Sequence, residues 1–247
     1  MAKQVPATTE VGFNVQGCLQ REGVQTATNP DDEAAVELAA LWAEAMGGQA
    51  AVATMGPAAA GEMATDLVAK GCSEAWHLQD ARLAGADIVL TAKALAGVVR
   101  HVGAHVVFTG ASSADGKSGM VPPALAALLG WAFVGNVTRV EHLGKEMVLW
   151  QRRGAKEAKV SISGPAVVAV FKTAAAPRIA DVMAILSAPT PEVVGVDDLG
   201  LDPSDLDWAS RGAVVETTFP KQARKKRILG GAEALGELLA ALKGEGL

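Results

Sequence analysis

Tyrosine is absent from this 247-residue chain, and aromatic side chains make up only 4% of it. The core must therefore be built from Ala, Val, Leu and Ile, which pack closely but bring little bulk each. Only two cysteines occur, Cys18 and Cys72, too far apart for a CxxC pair, and the four histidines show no ligand spacing. This argues against a structural zinc site and for a reducing, cytoplasmic setting. No run is long and apolar enough to cross a membrane, and the N-terminal stretch MAKQVPATTEV lacks the apolar centre of a signal peptide. A net charge of -5 gives no general attraction to nucleic acid or anionic lipid, so neither nucleic-acid binding nor membrane insertion is expected.

What is present alternates. Asp31 to Met46 follows Pro30, opens with three acids that suit the positive end of a helix dipole, and ends at Gly47-Gly48. Ala35, Leu38, Leu41, Trp42 and Ala45 fall on one face of that helix. Strands are expected at Ala50 to Thr54, Glu74 to Leu78 and His105 to Thr109, with helices at Ala58 to Lys70, Asp87 to Val102 and Met120 to Leu129. This is the order of an α/β protein with a parallel sheet and crossover helices on both faces. Asn136 to His142, Met147 to Arg152, Lys159 to Ser163 and Ala166 to Phe171 read as an antiparallel extension of the sheet. A helix is expected in Ile179 to Ser187, then a segment rich in Pro, Asp and Gly, then a last helix over Gly231 to Lys243. The expected organisation is one α/β domain over 1–187 and an extended C-terminal arm over 188–247.

Ligands of open parallel sheets bind beyond the carboxyl ends of the strands. Two loops fit that position: Thr54-Met55-Gly56-Pro57, and Thr109 to Gly119, which leads into the helix near Met120. In the second, Ser118-Gly119-Met120 would present free backbone N–H groups to a phosphate, and Lys117 would add a charge. Its Gly116-Lys117-Ser118 ending suggests a P-loop, but the pattern needs glycine where Ala111 stands, so that match fails. Spacing alone leaves two readings open for this loop, a plain strand-to-helix connection and a nucleotide site.

Along most of its length the chain resembles the beta subunits of electron-transfer flavoproteins. The resemblance is carried by Lys3-Gln4-Val5-Pro6, Thr8-Thr9-Glu10-Val11, Arg21 to Val24, Asn29-Pro30-Asp31-Asp32 and Thr54-Met55-Gly56-Pro57. It continues through Ala84 to Asp87, Thr91 to Ala96, Thr109-Gly110, Asp115-Gly116, Pro165 to Val170 and Ala176-Pro177-Arg178. It implies a pseudo-Rossmann fold, a heterodimer with an alpha subunit, an FAD shared with that subunit, and AMP or a second FAD in this chain. Oxidoreductase activity would then need the alpha subunit, with a dehydrogenase or quinone reductase as redox partner. Carried over by motif, the nucleotide would touch Asn29, Pro30 and Asp31, the Met55-Gly56 turn, and Asp115, Gly116, Lys117, Ser118, Gly119, Met120 and Val121. Arg178, Val182 and Met183 fall where partner docking is implied. The N-terminal words look more like the electron-bifurcating branch, whereas Lys117, Met120 and Pro123 depart from its phosphate-loop pattern. The resemblance also implies an apolar strand just before Lys3, for which Met1-Ala2 is too short. Truncation, a substitute segment and a degenerate site all remain open.

Competing readings are a stand-alone adenine-nucleotide-binding α/β protein and a nucleotide-free scaffold subunit. Val182, Ile185 and Leu186 can be read as packing on the core, and Glu37 and Glu44 as a solvated pair. Lys221 to Arg227 reads as a solvated basic patch, and Trp208 as an anchor against the alpha subunit.

Overall fold

The computed structural model describes residues 1–8, 12, 23–202, 204, 218, 230–231 and 233–244. Cys18, Arg21, Glu22, Trp208 and the basic run Lys221 to Arg227 lie outside the described residues. The chain divides into two compact units, Met1–Val214 and Val215–Leu247.

In the first unit the elements run β1 (Gln4–Pro6), β2 (Thr26–Thr28), α1 (Pro30–Met46), β3 (Ala51–Met55), α2 (Ala59–Val68), β4 (Glu74–Leu78), α3 (Ile88–Val102), β5 (Val106–Gly110) and α4 (Val121–Leu129). Then follow β6 (Ala132–His142), β7 (Glu146–Arg153), β8 (Lys156–Ser163), β9 (Ala166–Val170), α5 (Val182–Ser187) and β10 (Glu192–Val194). Local chemistry sets several boundaries. Pro30 occupies the first turn of α1, and Gly47 takes the left-handed conformation that ends it. The Asp87 carboxylate caps α3 by accepting from the Leu90 N–H.

Two main sheets result: β10-β4-β3, all parallel, and β5-β9-β6-β7-β8. β9 lies between β5 and β6 and is parallel to both, while β6, β7 and β8 are antiparallel. The expected antiparallel extension is thus limited to three strands, and the fourth returns to the parallel part. Side chains alternate across β9: Val168 and Val170 pack with Ala34, Ala35 and Leu38 of α1, and Val167 with Leu95 of α3 and Leu125 of α4. Val167 and Val168 are fully buried on opposite faces, each contributing about 2 kcal/mol by the area rule. α2 lies over Val52 with α1, and α3 covers Leu78 and Val194.

Three expectations need correction. Leu41 and Ala45 of α1 are exposed, and the buried set is Asp32, Ala34 to Leu38, Ala40 and Ala43. Glu37, expected to be solvated, is buried. The division expected at residue 187 falls inside the first unit, because β10 pairs in parallel with β4 and brings Val194 and Val196 into the core.

The position of the implied leading strand is partly filled. The Met1 amino group donates to the Phe108 carbonyl (2.7 Å), and the Ala2 N–H donates to the Ala53 carbonyl (2.9 Å). Met1–Lys3 thus bridges the facing edges of the two sheets. The second unit is described through one helix, α6 (Ala234–Gly244), on which Leu235, Leu238, Leu239 and Leu242 are exposed.

Candidate functional site

β5 ends in Gly110, where backbone and acid side chains meet. The Gly110 N–H donates to Asp32 Oδ1 (2.7 Å), and a Cβ here would lie 2.8 Å from Asp31 Cβ and 3.0 Å from Asn29 Nδ2. Only glycine leaves room for that approach. The other Asp32 oxygen accepts from the Lys3 N–H at 2.8 Å. Asn29 Nδ2 donates to the Ser112 carbonyl (2.9 Å), while its Oδ1 accepts from the Ala114 N–H (3.0 Å). Lys3 Nζ reaches both Asp115 oxygens (2.7 and 2.9 Å) and Ser113 Oγ (3.3 Å). The Asp115 side chain is 1% exposed. Residues 110–115 are therefore fastened from beneath by the first turn of α1 and the start of the chain.

The next stretch is different. Lys117 has φ 50° and Gly119 φ 62°, which turns the loop back on itself before α4. The Lys117 N–H donates to the Ser113 carbonyl (2.9 Å). Among the described residues the N–H groups of Ser118, Gly119 and Val121 have no acceptor, nor has Lys117 Nζ. Pro122 and Pro123 lack N–H groups, so this helix start offers fewer donors than most. The arrangement fits an anionic diphosphate or phosphate group: unpaired amides, a lysine and a helix dipole at one place.

The Met55-Gly56 turn lies at the carboxyl end of β3, in the other sheet. The Gly56 N–H donates to the Leu78 carbonyl (3.2 Å), and His77 Nε2 donates to the Gly56 carbonyl (2.9 Å). Met55 and Val121 pack against the same buried cluster, which includes Leu125. Near them Thr54 Oγ1 is buried without a hydrogen-bond partner.

The sequence-derived residues thus fall into two groups. Met55 ends β3 and Gly56 follows it, Gly116 to Val121 lie between β5 and the first turn of α4, and Pro30 is exposed. Asn29, Asp31 and Asp115 are engaged within the protein: Asn29 with 112–114, Asp31 with the Lys172 N–H (2.9 Å), and Asp115 with Lys3. Lys3 and Asp32 were not among the expected site residues, although both lie in the motif words Lys3 to Pro6 and Asn29 to Asp32. Burial pushes the Asp32 carboxyl up to about 6, although the Met1 ammonium and the Lys3 and Gly110 amides oppose the rise.

In the implied docking segment the Arg178 guanidinium grips Glu37 with Nε (2.9 Å) and Nη2 (3.0 Å), and Glu44 with Nη1 (2.7 Å). Burial would raise Glu37, but the bonds from Arg178 outweigh it and hold the carboxyl below its ordinary value. Beyond this grip Ile179, Val182, Met183, Ile185 and Leu186 are all exposed, Ile179 at 96% and Leu186 at 75%. The core-packing reading of Val182, Ile185 and Leu186 is overturned, because α5 has no buried residue. Val182 and Met183 stand outward, while Arg178 faces α1.

The electron transfer flavoprotein domain family matches residues 17–199. The chain is similar to the electron transfer flavoprotein subunit beta of Thermoanaerobacterium thermosaccharolyticum, with 32% identity covering 98% of this chain and 96% of the relative. It is similar to the same subunit of Clostridium acetobutylicum, with 31% identity over 94% and 89% of the two chains. The caffeyl-CoA reductase-Etf complex subunit CarD of Acetobacterium woodii is 30% identical over 98% and 96%. No helix among the described residues is long and apolar enough to cross a membrane.

Proposed function

The chain belongs to the electron transfer flavoprotein family, as a beta subunit, and from that premise we propose that it pairs with an alpha subunit and holds an adenine nucleotide on the 115–121 loop. The observation that carries the reading is the division of labour in this loop. Its inner part is fixed by Lys3, Asn29 and Asp32, while Ser118, Gly119, Val121 and Lys117 keep their donors unpaired. A rigid base with free donors above it binds an anionic phosphate without first having to be ordered. Met55 and Gly56 close one side of the same site, and Pro30 stands at its edge.

Bound flavin supplies the electron chemistry. The residues of this chain bind, orient and exclude water. FAD shared with the alpha subunit is the redox centre in this reading, and the nucleotide on the loop is AMP or a second FAD. Gly116, Ser118 and Gly119 leave room for a diphosphate, which favours FAD, and Lys117 would neutralise part of its charge. Electrons pass to or from a dehydrogenase or quinone reductase that docks on the exposed Val182 and Met183, with Arg178 fixing the base of that segment. The chain beyond residue 214 contacts the alpha subunit, and the complex works in the cytoplasm.

The test is to co-purify the chain with its alpha subunit, denature the complex, and count nucleotides per heterodimer by chromatography. Two FAD, or one FAD and one AMP, is the expected outcome, and Lys117→Ala should lower retention of the second nucleotide. One FAD and nothing else would overturn the nucleotide site and leave a scaffold subunit.

A further inference from the structure

Gly56 follows β3, and both of its backbone groups are held by consecutive residues of β4. Its N–H donates to the Leu78 carbonyl at 3.2 Å, and its carbonyl accepts from His77 Nε2 at 2.9 Å. A carbonyl can only accept, so the imidazole carries its proton on Nε2. The sequence around this bond makes it matter. Gly56 turns more freely about its own backbone than any other residue would, and Pro57 has no N–H. The peptide plane between them therefore has one polar group by which it can be fixed, the Gly56 carbonyl. Among the described residues no other side chain bonds to Met55, Gly56 or Pro57.

The ring reaches the turn from beneath α2. β3 and β4 pair with Val52 opposite Ala75 and Thr54 opposite His77. Val52 and Ala75 pack with Met63, Ala64 and Leu67 of α2, so by alternation His77 stands on the same face. There α2 carries Gly61, where a Cβ would lie 3.0 Å from His77 Nδ1. Packing alone calls for neither residue. A polar ring 2% exposed has given up its water, and glycine is a poor helix former. Val52 and Ala75 fill the same layer with apolar side chains. Thr54 does not share the task, because its buried hydroxyl has no hydrogen-bond partner.

We propose that His77 is a positioning residue for the nucleotide held by this chain: through the Gly56 carbonyl it sets the shape of the turn that closes one side of the site. The inference rests on the nucleotide reading given above and deepens it. His77 acts through the turn and touches no nucleotide itself. Gly61 belongs to the same device, since it leaves the ring the room it needs under α2.

The experiment compares heterodimers built with the wild-type chain, His77→Leu and His77→Gln. Leucine fills the space without a donor, and glutamine returns an amide N–H at a similar reach. Each complex is diluted, and the AMP or FAD still bound is counted by chromatography over time, beside urea unfolding of the same samples. His77→Leu should release the nucleotide of this chain at least about tenfold faster and keep the FAD shared with the alpha subunit. His77→Gln should stay within about threefold of the wild type. Unchanged release in His77→Leu overturns the proposal, and so does equal loss in both variants, which would assign the ring to packing. If His77→Leu fails to assemble, Gly61→Ala presses on the ring from α2 and should speed release at least about threefold. Unchanged release in Gly61→Ala overturns the proposal too. A wild-type heterodimer that holds one FAD and nothing else overturns the nucleotide reading, and this inference falls with it.

Discussion

Asn29 holds residue Ser112 by its carbonyl, at 2.9 Å, across a sequence separation of 83. The same side chain accepts from the Ala114 N–H, so one buried amide fixes the loop at two points, and Asn29 is 2% exposed. Asn29→Asp turns a donor into an acceptor facing a carbonyl, and Asn29→Ala removes both bonds. Each variant should lose about 2–3 kcal/mol of stability in urea unfolding. In the heterodimer each should also release the loop nucleotide at least about tenfold faster. Normal stability in both variants would mean that the loop is held by other contacts.

Lys3 acts on the same loop from the other side. Its ammonium pairs with an Asp115 carboxylate that is 1% exposed, so Lys3→Ala takes a cation away from a buried charge. The expected cost is about 1–3 kcal/mol, against less than about 1 kcal/mol for an exposed pair. Lys3→Arg should recover part of it. Thermal unfolding of the two variants beside the wild type checks the ranking.

Asp32 makes stability depend on pH in an unusual direction. Its folded-state value, about 6, lies above the ordinary 3.8, so the folded protein keeps a proton that the unfolded chain releases. The stabilisation is complete below about pH 4, falls as pH rises to 6, and changes no further above that. A difference of about two pH units corresponds to roughly 3 kcal/mol. Asp32→Asn should abolish this component while weakening the anchoring of Lys3 and Gly110, since one amide nitrogen then faces an N–H. Urea unfolding of both proteins at pH 4, 5 and 6 separates the effects: a constant difference between them rules out Asp32 as the source.

The layered α/β order was legible in the sequence because helix period, strand alternation and the Pro30 and Gly47 signals agree locally. The turn Met55-Gly56 and the loop to Val121 were legible because ligand loops follow strand ends. Three features were not. β10 is three residues long in a Pro- and Asp-rich stretch, and its strand state comes from pairing with β4. Glu37 reads as one more acid on a helix, and its partner Arg178 lies 141 residues away. The internal roles of Asn29 and Asp115 depend on Ser112 and Lys3, which no local pattern joins to them.

Arg178 is the anchor of an otherwise exposed segment. Arg178→Met would leave Glu37 buried without its guanidinium, at a cost of about 2–4 kcal/mol. The lowered Glu37 value has the opposite sign to that of Asp32. Its stabilisation is present above the ordinary 4.5 and is lost as pH falls through the lowered value. The advantage of the wild type over Arg178→Met should therefore shrink as pH falls below 4.5, as measured by thermal unfolding from pH 3 to 6. An advantage that stays constant from pH 6 to pH 3 would count for packing of the arginine stem over the ion pair.

Val182 and Met183, each 68% exposed, separate function from stability most cleanly. A solvated apolar side chain contributes little to folding, so Met183→Asp should leave stability within about 0.5 kcal/mol of the wild type. If the segment docks a redox partner, the same change places a charge in an apolar contact and should slow electron transfer at least about tenfold. Steady-state reduction of the heterodimer by its partner, read at the flavin absorbance over a range of partner concentrations, distinguishes the cases. A rise in the half-saturating concentration with an unchanged limiting rate assigns Met183 to docking. Unchanged kinetics in Met183→Asp and in Val182→Asp would remove the segment from the partner interface.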